Sequence, residues 1–176
     1  MNIRYLWRTW LACLIACLPI LVLQLMPQLM RSRAGGTSSL MIGVGLLLAL
    51  LVAAFVCAPL MSAWLAPAPG WQPRSALRAA GALWRRRAGQ AALALLAGIG
   101  VYTVGQVAGY ALGQAVPYVH DNPAFAADPR LSPWIIDYPA FALQAVVLYA
   151  LTTLAVAVYA WRMRSLSVQG AAGGTA

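Results

Sequence analysis

The sequence contains no lysine and no glutamate, and its only acidic residues are three aspartates. All twelve basic residues are arginines and there is one histidine, so the formal net charge is +9. Only 9% of the residues are charged and 62% are hydrophobic, whereas about a quarter of an average soluble protein is charged. This shortage of charge argues against an ordinary soluble domain and favours a protein that lies in a membrane.

Cysteines are also few, and none of them lies in a polar loop. Cys13, Cys17 and Cys57 all fall within apolar runs, where a cysteine usually serves as a small hydrophobic residue. A disulfide framework or a redox role is therefore not expected. The stretch ending at Cys17 has the form of a lipoprotein cleavage box, but the apolar sequence continues well beyond it. A signal peptide gives way to polar sequence, so we expect an uncut helix.

The apolar runs carry no charged residue in their central parts, and no motif of a known catalytic or cofactor site occurs. A phosphate-binding loop, a zinc motif and a nucleophile elbow are all missing. Proton pumps and many ion-coupled transporters need an ionisable residue inside the membrane. The sequence thus favours a protein that is not an enzyme and has no cofactor. The polar residues within the runs are expected to join helices by hydrogen bonds; they are Gln24, Thr103, Gln106, Gln114, Gln144, Thr152 and Thr153.

Four apolar runs are long enough to cross the roughly 30 Å hydrocarbon core of a bilayer. They comprise residues 10–30, 39–65, 91–116 and 139–161. Backbone groups cannot stay unpaired in lipid, so these runs must be helical. We predict an all-α integral membrane protein of four transmembrane helices in two hairpins. It forms one domain at residues 1–166, and residues 167–176 are predicted to be a flexible tail.

The distribution of arginine predicts the orientation. Nine arginines lie at the two ends of the chain and in the middle loop, whereas Arg31, Arg33 and Arg130 lie in the other two loops. Arginine collects on the cytoplasmic side of membrane proteins. Both termini should therefore be cytoplasmic, in a multi-pass protein of the bacterial inner membrane. Six of the seven tryptophans fall at the same predicted side, as in an interfacial belt; these are Trp7, Trp10, Trp64, Trp71, Trp84 and Trp161.

The third run carries glycines at every fourth position, at Gly105, Gly109 and Gly113. Residues at this spacing share one helix face and allow two helix backbones to approach closely. The stripe therefore predicts a helix-packing interface. The neighbouring helix belongs either to the same bundle or to a second copy or another membrane protein, and the spacing does not distinguish them.

Residues 72–89 combine five arginines with an apolar face. The arginines are Arg74, Arg78, Arg85, Arg86 and Arg87. We predict a short amphipathic helix on the cytoplasmic surface between the second and third spans, where arginines bind anionic lipid headgroups with about 1 kcal/mol each. Because the arginines flank apolar spans, a nucleic acid partner is not expected. A topology anchor and a docking surface for a cytoplasmic partner are both compatible with this pattern.

The loop between the third and fourth runs holds every acid and the single histidine. His120, Asp121, Asp128 and Asp137 lie among several prolines, which prevent a long helix. A short re-entrant or surface helix is compatible with the pattern. One imidazole with carboxylates can bind a divalent metal, and an aspartate pair can act as acid and base, but the spacing matches no strong template. We therefore expect a solvated periplasmic loop that contacts a partner.

The favoured hypothesis is a small non-enzymatic subunit or accessory protein of a membrane complex. It would contact the lipid bilayer and a membrane-protein partner, or form a homo-oligomer. A transporter or lipid-handling protein built from two hairpins is an alternative. Two further alternatives are a membrane enzyme that uses the outer aspartates and an immunity-type protein whose periplasmic loop binds a toxin.

Overall fold

The structure, a computed structural model, describes residues 3–30, 32–128 and 130–172. Within these ranges the chain is all-helical apart from one small hairpin. The helices are α1 (Ile3–Ala16), α2 (Leu18–Gln24), α3 (Pro27–Met30), α4 (Ser32–Leu65), α5 (Ala76–Arg86), α6 (Ala88–Ala115) and α7 (Tyr138–Ala172). The strands β1 (Val119–Asp121) and β2 (Trp134–Ile136) flank a 3-10 helix at Pro123–Ala126.

Three of the described helices are long and apolar enough to cross a membrane, and a bent pair provides a fourth if it counts as one span. The three are Gly36–Leu65, Ala88–Ala115 and Tyr138–Gly170. The pair consists of α1 and α2, whose axes differ by 56°. The prediction of a helical chain with several helices long enough to cross a membrane is therefore confirmed, with three or four candidate spans.

The first segment differs from the continuous helix expected at residues 10–30. It begins earlier, at Ile3, and breaks at Cys17, after which Pro19 occupies the first turn of α2. A second break precedes Pro27, which begins α3. Proline has no N–H to donate and its ring crowds the preceding turn, so it is tolerated at helix starts but not in helix interiors. Two prolines therefore divide one apolar run into three helical pieces.

Helix α7 occupies the centre of the bundle, between α6 on one side and α1 and α4 on the other. Half of its apolar window is buried, compared with 17% for α4 and 22% for α6. It runs antiparallel to α1, because Trp10 donates to Thr153 Oγ1 (3.1 Å) and Tyr149 donates to the carbonyl of Leu14. The central helix therefore holds the other spans in place.

The end of the bundle where α1 begins is closed by Arg164, and we call it the terminal end. The buried guanidinium donates from Nε to the carbonyl of Ala66 (2.8 Å) and lies 4.2 Å from the ring centre of Tyr5. The ends of α1, α4 and α7 therefore meet at one side. Helix α7 continues past this point to Ala172, so residues 167–172 of the predicted tail are helical, and 173–176 lie outside the described residues.

The chain leaves α4 through a tight turn that buries a tryptophan. Pro69 and Gly70 occupy the centre of the turn, Gly70 with φ of 74°, a conformation that glycine adopts without strain. Trp71 is fully buried and donates to Ser62 Oγ (2.9 Å). Trp71 and Trp161 thus belong to the core of the bundle, and not to the interfacial belt expected from the sequence.

The opposite end of the bundle carries the β1–β2 pair, and we call it the hairpin end. The strands are antiparallel, and His120 is paired with Ile135. The re-entrant or surface helix that the sequence pattern allowed for this loop is therefore replaced by a β-hairpin. Among the described residues between the strands, the prolines limit helical structure to the 3-10 turn at Pro123–Ala126.

Candidate functional site

The glycine stripe of α6 packs against α7 of the same chain. A Cβ atom added to Gly105 would stand 2.9 Å from Cβ of Leu151, and one added to Gly113 would stand 2.7 Å from Nε2 of Gln144. The carbonyl of Gly109 accepts a hydrogen bond from that amide (3.0 Å). The close helix contact predicted at the glycine stripe therefore lies inside the bundle, where it packs α6 against α7.

A second stripe of small residues lies on α4 and is open. Gly45, Ala49 and Ala53 repeat at every fourth position and are all exposed. A Cβ added to Gly45 would meet no atom within 4 Å. On the other side of the helix, Ala54 and Ala58 are buried in the core. Sequence reasoning missed this stripe, although its spacing is the same signal that identified the stripe on α6.

The amphipathic helix predicted at residues 72–89 corresponds to α5. Its apolar face is held down by Ala76 and Ala80, which are buried, and by Trp84, which donates to the hydroxyl of Tyr159 (3.3 Å). The five arginines of this segment are all exposed, at Arg74, Arg78, Arg85, Arg86 and Arg87. They form a cationic surface at the terminal end of the bundle.

The acids and the histidine of the hairpin end are spread out. His120, Asp121 and Asp128 are exposed. Two of the aspartates have local structural tasks: Asp128 Oδ1 accepts from the N–H of Arg130 (3.0 Å), and Asp137 Oδ1 accepts from the N–H of Ala140 (3.4 Å) in the first turn of α7. Among the described residues, no three metal-ligating side chains cluster.

A cleft runs along α7 between α4 and α6. One part of it is a cavity of about 130 Å³ near the middle of the bundle. Polar side chains from three of the helices line it together with apolar ones; the polar ones are Gln24, Tyr102, Gln106 and Thr152. None of these side chains carries a formal charge at neutral pH. The cavity is therefore polar but neutral.

The cleft widens on both sides of this cavity, with different chemistry on each side. Toward the hairpin end it holds about 310 Å³, and polar groups from Gln106 to Tyr118 dominate its wall. Toward the terminal end it becomes an apolar groove of about 590 Å³. Leu51 and Tyr102 line both the groove and the central cavity. Gln106 and Leu148 are likewise shared by the central cavity and the polar part. The three parts therefore adjoin one another along α7, and this path has a polar half and an apolar half.

Two polar atoms beside the central cavity have no hydrogen-bond partner among the described residues. They are Oε1 of Gln24 and Oγ1 of Thr152, whose residues are only 9% and 2% exposed. Sequence reasoning assigned the polar residues of the spans to helix association. Thr153 and Gln144 do form hydrogen bonds between helices, whereas Oε1 of Gln24 and Oγ1 of Thr152 do not.

Comparison with protein-family models, with curated proteins and with solved structures found no match. The bundle itself offers two open features on which a partner or a ligand could bind, the stripe on α4 and the cleft over α7.

Proposed function

We propose that the protein is a small non-enzymatic subunit or accessory protein of a membrane complex, in which α4 packs against a transmembrane helix of a partner. The supporting observation is the open stripe at Gly45, Ala49 and Ala53. In lipid, helices associate where small residues let their backbones approach and gain van der Waals contact. The stripe on α6 is filled by α7, whereas the three-residue stripe on α4 is unfilled.

The proposed setting is a bacterial inner membrane with both termini in the cytoplasm. The exposed arginines of α5 then lie against the anionic headgroups of the cytoplasmic leaflet, and the β1–β2 hairpin lies in the periplasm. Reporter fusions test this orientation: a fluorescent protein joined after Ala176 should be fluorescent, and alkaline phosphatase at that position should be inactive. The opposite pattern would refute the arrangement.

The packing proposal is tested by replacing Gly45 with leucine. Because nothing lies within 4 Å of the new Cβ, the bundle itself should fold unchanged. The expected result is loss of the complex that native mass spectrometry detects after extraction from the source membrane. Gly100→Leu is the matched control, since Gly100 is exposed on α6 and equally open, and it should keep the complex.

Two results would contradict this function. One is a solitary wild-type monomer after gentle extraction and crosslinking in the membrane. The other is a complex that survives Gly45→Leu as well as it survives the control. Either a different protein or a second copy of this chain at the α4 surface supports the proposal, and the mass of the complex distinguishes these partners.

A further inference from the structure

The unpaired oxygens of Gln24 and Thr152 require an explanation. A buried polar atom without a partner costs about 1–3 kcal/mol, and the cost is higher in lipid because no water is present there to form a hydrogen bond with the atom. Both residues line the same cavity of about 130 Å³. Such a volume is several times what a single ordered water requires. Each of these oxygens has less than 1 Å² of accessible surface, so a guest in the cavity can bond to them only when the two side chains rotate toward it.

The wall of the cavity restricts the charge of that guest. Amides and hydroxyls at Gln24, Tyr102, Gln106 and Thr152 supply both donors and acceptors. Among the described residues, no arginine, aspartate or histidine lines the cavity or the wider parts of the cleft that adjoin it. An ionic group in this place would lose its hydration without gaining a counter-charge, which is strongly unfavourable. The guest must therefore be uncharged there.

The rest of the cleft restricts the shape of the guest. From Gln114 at the polar end to Leu95 in the apolar groove, α6 rises about 28 Å at 1.5 Å per residue. The groove is apolar and opens between α4 and α6, where Val52 and Ile99 contribute to its wall. A molecule that fills the path has one hydrogen-bonding end and one long hydrocarbon end, which is the form of a lipid.

We propose that the cleft over α7 binds an uncharged lipid whose head carries hydroxyl or carbonyl groups. The head lies in the polar half. The side chains of Gln24 and Thr152 rotate toward it, so that a hydroxyl of the head donates to Oε1 of Gln24 and a head oxygen accepts from the hydroxyl of Thr152. The hydrocarbon chain lies in the apolar groove and points toward the terminal end. This site is separate from the α4 stripe, because Gly45, Ala49 and Ala53 do not line the cleft.

Photocrosslinking in lipid nanodiscs tests the proposal with two probes of equal chain length. One is a monoacylglycerol with a diazirine in its chain, and the other is lysophosphatidic acid with the same diazirine chain. The full-length protein should be labelled saturably by the neutral probe at peptides of α4 and α6 that border the groove. Unlabelled monoacylglycerol should compete, and the phosphate-bearing probe should give only weak, unsaturable labelling.

Variants connect the labelling to the polar half of the cleft. Thr152→Val keeps the shape of the side chain and removes the hydroxyl. It should weaken binding of the neutral probe about fivefold, because that factor corresponds to the loss of one hydrogen bond to a buried group. Gln106→Leu should have a similar effect. Thr103→Val is the matched control, because Thr103 is exposed on α6 and its hydroxyl donates to the carbonyl of Ile99 in the same helix (3.0 Å).

The possible outcomes are decisive. Equal, unsaturable labelling by both probes would mean that the groove holds ordinary bilayer lipid, and the proposal would fail. It would also fail if the neutral probe did not label the groove, or if neither Thr152→Val nor Gln106→Leu weakened its binding more than the control. Should Thr152→Val not fold, the half-buried Gln106 decides the result, since its replacement disturbs the packing less.

Discussion

Replacing Gly105 with alanine should weaken the packing of α6 against α7. The new Cβ would stand 2.9 Å from Cβ of Leu151, whereas carbon atoms in good contact are about 3.5–4.0 Å apart. Since the Cβ of Leu151 is attached directly to the backbone, a side-chain rotation cannot relieve the clash. The helices must separate locally by roughly 1 Å, the shortfall from that contact distance.

The magnitude follows from two opposing effects. Inserting one methyl group into a packed contact typically costs about 1–3 kcal/mol. Alanine is favoured over glycine within a helix by roughly 0.5–1 kcal/mol. We therefore expect Gly105→Ala to lower the free energy of unfolding by about 1–2 kcal/mol, the difference between these effects.

The matched control is Gly100→Ala on the same helix. A Cβ at Gly100 meets no atom within 4 Å, so only the helix preference remains and stability should stay equal or rise slightly. The measurement is unfolding in mixed micelles of a mild detergent and SDS, followed by tryptophan fluorescence. If both variants unfolded at the same SDS fraction, α6 and α7 would not approach as closely as the structure places them, and the reasoning would be refuted.

Two further comparisons use the same unfolding assay. Thr153→Val should lower stability by about 0.5–1 kcal/mol because it removes a hydrogen bond between helices. Thr152→Val should leave the stability of the lipid-free protein unchanged or higher, because the Thr152 hydroxyl has no partner among the described residues. The reverse order of stabilities would contradict the hydrogen-bond assignment. Trp71→Phe should cost about 1–2 kcal/mol, since it removes the bond to Ser62 and leaves a void. Trp64→Phe, at a residue 73% exposed, should have little effect, and equal losses at the two tryptophans would show that Trp71 is not buried.

Local patterns made the long apolar helices predictable. A span requires a certain number of consecutive apolar residues, and this number can be counted along the chain without knowledge of any contact. The amphipathic helix α5 was predictable for a similar reason, because arginines and apolar residues alternate with a helical period. The breaks at Pro19 and Pro27 agree with the known effect of proline, although the bend of 56° depends on how the pieces pack.

The partners of particular residues were not predictable. Gly105 and Gly45 lie in stripes with the same spacing, and spacing permits a close approach without naming the helix that makes it. Trp71 lies between prolines and arginines, as an interfacial tryptophan does, yet the turn at Gly70 directs it into the core. Its burial is decided by the hydrogen bond to Ser62 and by the shape of the space beneath the turn.

The amino-acid sequence alone determined that this chain forms helices long and apolar enough to cross a membrane, because hydropathy and backbone hydrogen bonding act over short stretches of chain. Only the tertiary structure decided which small-residue stripe is filled, and which polar groups meet in one cavity. Gln24 and Thr152 come from distant parts of the chain, and their encounter depends on the bend of α2 and the central position of α7. Their proximity results from three-dimensional packing, and a local sequence pattern does not show which distant residues come together.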